Sequence, residues 1–99
     1  MLSTFKTYQL ALKLYRDCEG VKAPHFIKDQ LQRATLSIVL NTAEGSAKPT
    51  PKERRRFYSI ALASCRETQA LLQVLRLDEP FKLSNEVGGC LYRLVHPCN

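Results

Sequence analysis

A segment near the middle of the chain predicts a helix with almost no polar surface. Residues 34–43 contain no charged side chain. Successive residues of an α-helix are rotated by about 100°, so two opposite apolar faces result. They consist of Ile27, Leu31, Ala34 and Ile38 on one side and of Leu36, Leu40 and Ala43 on the other. A helix that is apolar nearly all round is normally buried. In a chain of 99 residues, we infer that a second copy or a partner covers the second face.

Assembly of this kind needs an apolar surface that extends beyond one helix. Large apolar residues of the third predicted helix extend the second face, and exposed apolar surfaces of that size normally mark interfaces. The predicted oligomer interface comprises Leu36, Leu40, Tyr58, Leu62 and Leu72.

Length and composition indicate one globular domain, residues 1–99. The hydrophobic fraction of 44% and the charged fraction of 24% are typical of soluble proteins. Basic residues interrupt the apolar residues at the N-terminus, which is unlike a secretory signal, and no uncharged stretch is long enough to span a bilayer. We therefore expect a cytoplasmic protein without a membrane role. The net charge of +6 favours an anionic partner such as nucleic acid.

The cysteines do not predict a metal site. Cys18, Cys65, Cys90 and Cys98 share no CxxC spacing, and the two histidines complete no zinc pattern. We expect reduced thiols that act as small apolar residues. No metal, cofactor or catalytic motif is predicted.

Four amphipathic segments predict helices at about 5–18, 24–44, 51–77 and 81–95. Thr50-Pro51-Lys52-Glu53 has the pattern of a capping box with proline at the first helical position. Gly20 and Gly45 are predicted to end the first two helices, and Asp78-Glu79-Pro80 to end the third. Gly88-Gly89 indicates either a weak helix or a close approach to a neighbour. With short connections and no strand pattern, the sequence predicts an all-α, antiparallel up-and-down four-helix bundle.

A polar stripe runs between the apolar faces and has a counterpart on the third helix. Its members are Arg33, Ser37, Asn41, Glu44, Ser64 and Glu67. A carboxylate among apolar residues needs a partner, and an antiparallel pairing places Arg33 near Glu67. The stripe is either a structural network that fixes helix register or a catalytic site. No histidine or paired carboxylate lies within reach, which favours the structural interpretation, and we expect no enzymatic activity.

Five cations surround the predicted start of the third helix: Lys48, Lys52, Arg54, Arg55 and Arg56. The N-terminal end of a helix carries positive partial charge and free N–H groups. Added cations there concentrate positive potential, as a phosphate-binding site requires. The alternative is a solvated charged face that Glu44 and Glu53 partly neutralise. Tyr58, one turn further on, either stacks on a base or packs inside the bundle.

The central residues also resemble a known family. They are Gln30-Leu31-Gln32-Arg33-Ala34, Ser37-Ile38, Asn41, Ala43-Glu44-Gly45, Arg56-Phe57, Ile60-Ala61, Ser64 and Glu67. They resemble the signature of four-helix-bundle proteins encoded in intervening sequences of bacterial 23S ribosomal RNA genes, which are similar to the accessory protein Avd of diversity-generating retroelements. The resemblance implies a four-helix bundle that assembles as a ring-like homopentamer. In the retroelement relatives, a basic surface binds nucleic acid and a reverse transcriptase. For this chain, the expectation of nucleic-acid binding rests on its own cations.

Two functions remain open from the sequence. The first is a non-enzymatic, oligomeric accessory factor that binds RNA or DNA through the five cations. The alternative is a protein-binding adaptor or scaffold, in which the same cations meet an acidic protein and nucleic acid has no role.

Overall fold

A computed structural model describes residues 2–97 and, within them, four α-helices. They are α1 (Leu2–Glu19), α2 (His25–Ser46), α3 (Pro51–Val74) and α4 (Asp78–Val95). The described residues contain no strand, which confirms the all-helical prediction. Cys98, one of the four predicted thiols, lies outside the described residues.

The break predicted at Asp78-Glu79-Pro80 is instead the first turn of α4. Acidic side chains at a helix start interact favourably with the helix dipole, and proline is tolerated in a first turn because its missing N–H has no helical partner there. The loop lies just before it, and Arg76 adopts the left-handed conformation with φ of 58°. The Leu77 N–H donates to the Leu72 carbonyl across this residue, a bond that closes the end of α3.

The core lies between four helices that each pack against two others. α2 contacts α1 and α3, and α4 contacts the same two helices. Leu14, Leu31, Ile38, Leu72 and Leu91 are fully buried within one chain. The prediction that Leu72 lies in an oligomer interface is therefore wrong, because the core of its own bundle already covers it.

Gly45 lies inside α2 and does not end it in a left-handed conformation. It is buried against Tyr58, and a Cβ atom built on Gly45 would lie 2.6 Å from the Tyr58 ring. Tyr58 is 3% exposed, so its predicted place at an oligomer interface is wrong. Of the two interpretations of its side chain, packing inside the bundle is confirmed and base stacking is wrong. Glycine at position 45 allows α2 and α3 to approach closely.

Gly88 shows a similar close approach between α4 and α3, and α4 continues through both of its glycines. A Cβ on Gly88 would lie 3.2 Å from Arg66 Nη1 and 3.6 Å from Cys65 Sγ. At Gly89, only Arg93 Nη1 comes within 4 Å, at 3.6 Å. Of the two interpretations of the glycine pair, Gly88 fits the close approach, whereas Gly89 has space for a side chain.

Cys18, Cys65 and Cys90 are buried and form no disulfide among the described residues. Burial, together with the nearby Asp17 carboxylate, raises the pKa of Cys18 to about 11. Burial also raises the pKa of Cys65 to about 11, although Arg66 opposes the shift. Both thiols are therefore protonated at neutral pH, and Cys65 donates a hydrogen bond to the Ser84 carbonyl at 3.3 Å. They act as core residues.

Candidate nucleic-acid interface

The start of α3 is fixed by the predicted capping interaction. Thr50 is the N-cap residue, and its Oγ1 accepts a hydrogen bond from the Glu53 N–H at 3.2 Å. Pro51 follows at the first helical position and has no N–H. The cap and the proline therefore leave fewer free N–H groups for an anion than a bare helix start would offer. Any anion binding at this end depends mainly on the side chains.

Three of the five predicted cations are exposed and share one face of α3. Lys52, Arg55 and Arg56 follow the helical spacing of three and four residues that brings side chains together. None of the three is within 4.0 Å of a carboxylate in the described part of the chain. Their charge is available to a ligand. We call the five cations, Lys48, Lys52, Arg54, Arg55 and Arg56, the basic surface.

The other two cations of the basic surface are held by contacts within the protein. Lys48 Nζ lies 3.1 Å from a Glu44 carboxylate oxygen. The Arg54 guanidinium donates to the Lys48 carbonyl at 3.0 Å and so ties the α2–α3 loop to the first turn of α3. Arg54 is half-buried as a result. These contacts position the loop. The alternative interpretation of the five cations was a solvated face that acidic residues partly neutralise. Only Lys48 fits it, because Glu44 partly neutralises its charge.

Two cations of the basic surface lie over the aromatic ring of Phe57. Lys48 Nζ lies 5.0 Å and Arg56 Cζ 5.7 Å from the ring centroid. Such contacts are worth about 0.5–1 kcal/mol at exposed sites and bring both cations beside one ring. The basic surface is therefore a partly ordered group of charges.

Arg93 joins this region from α4 and was not predicted. With Arg54, Arg55 and Tyr58, it lines a groove between the beginnings of α1 and α3 and the end of α4. Cations are common in the last turn of a helix because they complement the helix dipole. The position of Arg93 in the sequence therefore did not indicate a binding role. Only the packing of α4 against α3 and α1 brings it near the basic surface.

The polar stripe is smaller than predicted. The Ser37 and Ser64 hydroxyls are 2.7 Å apart and link α2 to α3. Asn41 Nδ2 donates to the Ser37 carbonyl at 2.9 Å and to the Ser37 hydroxyl at 3.1 Å. Glu44 takes no part, since it pairs with Lys48. The structure thus brings Ser37, Asn41 and Ser64 together.

The predicted buried pair of Arg33 and Glu67 is wrong. Both residues are exposed, and no ion pair joins them in residues 2–97. The helical face on which they lie is the outer surface of a single chain. Glu67 therefore keeps its hydration and needs no partner, and an exposed ion pair would contribute little in any case.

The same outer face of α2 and α3 carries exposed apolar side chains. Leu36 is 41%, Leu40 57% and Ile60 42% exposed. Leu36 and Leu40 were predicted here, and Leu62 from the same prediction is half-buried. Ile60 lies one turn before Ser64, which contacts Ser37 on α2. We call Leu36, Leu40 and Ile60 the apolar surface.

The sequence also matches a known family over most of its length. Residues 4–82 match the family described as 23S rRNA-intervening sequence protein. The chain belongs to this family. Searches of curated proteins and of solved structures find no match.

The family match covers α1 from Thr4 onward, α2, α3 and the start of α4, and so includes the whole basic surface. Arg93 lies beyond the matched residues. Within residues 2–97 of this intervening-sequence protein, no three histidine, cysteine, aspartate or glutamate side chains are grouped to hold a metal ion. None of its described helices has a stretch with the length and hydropathy of a membrane span.

Proposed function

We propose that this intervening-sequence protein is a non-enzymatic accessory factor that binds nucleic acid through the basic surface. The observation that carries the proposal is the exposed group of Lys52, Arg55 and Arg56, which has no neutralising carboxylate within 4.0 Å among the described residues. Cations on one face of a helix suit the phosphates of a nucleic-acid backbone. The net charge of +6 adds long-range attraction for the same polyanion.

RNA is the first ligand to consider because the family is described by intervening sequences of 23S rRNA. The basic surface offers guanidinium and ammonium groups, and the buried Tyr58 is not available for base stacking. Contacts made only to phosphates carry little sequence information. The proposal is therefore sequence-tolerant binding to RNA, with DNA bound through the same contacts.

Co-purification tests this function whichever nucleic acid is the natural ligand. The protein contains four tyrosines and no tryptophan, so it absorbs weakly at 280 nm and bound nucleic acid dominates the spectrum. We expect protein purified at low salt without nuclease to show excess absorbance at 260 nm, and a wash in high salt to remove it. Protein free of nucleic acid after the low-salt preparation would favour the adaptor function, with an acidic protein as partner.

The helix arrangement that we propose is antiparallel and up-and-down. Two contacts between α2 and α3 support it. Ser37 contacts Ser64, and Gly45 packs against Tyr58. The position on α3 decreases as the position on α2 increases, as expected for neighbouring helices that run in opposite directions. Short connections between successive helices fit the same arrangement.

We further propose that the protein is a homo-oligomer that uses the apolar surface. Leu36, Leu40 and Ile60 are exposed in the single chain, and the short hydroxyl contact between Ser37 and Ser64 lies among them. The resemblance to the retroelement accessory proteins suggests five subunits. A closed ring would repeat the basic surface in every subunit, so weak phosphate contacts would act together and raise the avidity.

Leu40→Glu is expected to separate the oligomer into monomers. It places a charge at the most exposed position of the apolar surface, where burial without a partner is costly. Light scattering at micromolar concentration measures the mass. Phe26→Glu is the matched control, because Phe26 is exposed but lies near the start of α2, away from the apolar surface. A monomeric wild-type protein would contradict the proposal, and so would an unchanged mass for Leu40→Glu.

A further inference from the structure

The groove between three helix ends has an unusual lining. Its volume is about 320 Å³, and the beginning of α1, the beginning of α3 and the end of α4 form its walls. Arg54, Arg55 and Arg93 line it, and no acidic residue does. None of these arginines belongs to an ion pair in the described part of the chain. Three arginines and no carboxylate therefore line one small space.

Two residues of the same lining carry a buried hydroxyl that has no hydrogen-bond partner. The two hydroxyls are Thr4 Oγ1 and Tyr58 OH, and their residues are 6% and 3% exposed. Buried polar groups are nearly always hydrogen-bonded, and an unpartnered one carries its full desolvation penalty. These are the buried side-chain atoms without a partner among the described residues, and both lie in residues that line the arginine groove.

Thr4 differs from the other buried threonines in that its hydroxyl has no hydrogen-bond partner. Thr7, Thr35, Thr42 and Thr68 each donate to the carbonyl four residues earlier. Tyr58 is held by its packing against Gly45, which fixes its ring but supplies no acceptor for the hydroxyl.

We propose that this groove binds a single phosphate group. Phosphate oxygens accept hydrogen bonds from guanidinium groups in the paired geometry that favours arginine. A phosphate that reaches the two hydroxyls, which surrounding atoms cover in this structure, would also supply the acceptor that they lack. Arg54 is already held by its bond to the Lys48 carbonyl, and Arg93 lies against Cys90 Sγ at 3.6 Å. The source of the phosphate rests on the proposed function: it is either the end of a nucleic-acid strand or a phosphate within the strand.

Tyr58→Phe and Arg93→Gln test the site with inorganic phosphate, measured by calorimetry at constant ionic strength. Tyr58→Phe removes only the unpartnered oxygen, so we expect an unchanged or higher melting temperature together with weaker phosphate binding. Arg93→Gln is expected to weaken phosphate binding about tenfold, as loss of one charged hydrogen bond does. Arg16→Gln is the control. It removes one charge from an exposed position about 18 Å further along α1 from Thr4, at 1.5 Å per residue, and should bind phosphate like the wild type.

A short RNA with and without a 5′-phosphate identifies the source. If the two variants weaken binding only of the phosphorylated RNA, the groove takes a strand end. If they weaken both alike, it takes an internal phosphate. Equal binding of phosphate and of both RNAs by wild type, Tyr58→Phe and Arg93→Gln would overturn the site. Phosphate binding that depends on Arg93, in a protein that binds no RNA, would support the site and contradict only the proposed function.

Discussion

Gly45→Ala is expected to lower the free energy of unfolding by about 2 kcal/mol. The added Cβ would lie 2.6 Å from one Tyr58 ring carbon, 2.9 Å from another and 3.2 Å from the Arg54 carbonyl oxygen. Tyr58 is buried, so neither the ring nor the backbone is free to move aside. Overpacking costs about 1–3 kcal/mol, and a 2.6 Å contact puts this substitution at the upper end of that range. The better helix propensity of alanine returns about 1 kcal/mol. Chemical denaturation measures the difference.

Gly89→Ala is the matched control for this prediction. It makes the same change inside a helix, but the new Cβ meets only Arg93 Nη1, at 3.6 Å, which is ordinary contact. Alanine should therefore stabilise α4 by up to about 1 kcal/mol. If Gly45→Ala were as stable as Gly89→Ala, the close packing of α2 on α3 at Tyr58 would be wrong.

Arg54→Glu combined with Arg55→Glu is expected to reduce the affinity for RNA about a hundredfold at low salt. Each change removes a cation from the basic surface and adds a repulsive charge, and about 1.4 kcal/mol for each corresponds to a factor of ten. The loss of the Arg54 bond to the Lys48 carbonyl costs about 1 kcal/mol. Glutamate near a helix start offsets part of this cost. We therefore expect a folded protein with weak binding, measured by fluorescence anisotropy beside a thermal melt.

Two further variants distinguish an effect of the basic surface on RNA affinity from an effect of net charge or of impaired folding. Arg16→Glu with Lys22→Glu makes the same charge change at exposed positions near the end of α1. It should retain most of the affinity. Lys52→Glu with Arg56→Glu leaves the Arg54 bond intact and should weaken binding as the first double variant does. Equal loss of binding in all three would mean that net charge, and not this surface, attracts the nucleic acid.

Those features of the fold that depend on neighbouring residues were predicted correctly from the sequence. The start of α3 is the clearest case, because the Thr50 side chain, Pro51 and the Glu53 N–H act within one turn. The four helices follow from the spacing of apolar residues, and the family follows from residues near the centre of the chain. The helix ends were less accurate. Asp78-Glu79-Pro80 suits a helix start as well as a helix stop, and only the structure distinguishes the two.

Tertiary contacts explain most of the errors. A glycine near the end of a helical pattern usually indicates a left-handed stop, whereas Gly45 is present because Tyr58 packs against it. Helical periodicity identified the face of Glu67, but it does not tell whether a single chain buries that face. Arg93 is distant in sequence from Arg54, and no local pattern connects them. The groove that they share exists only after three helix ends meet.

The most direct test of nucleic-acid binding by this intervening-sequence protein is a salt titration of wild-type protein with a labelled single-stranded RNA. Binding through phosphates gives a straight line of log affinity against log salt, with a slope of about −0.7 for each phosphate contacted. If all five cations of the basic surface take part, we expect a slope of about −3 to −4 for each chain. No binding at low salt, or an affinity that salt does not change, would contradict the proposed function.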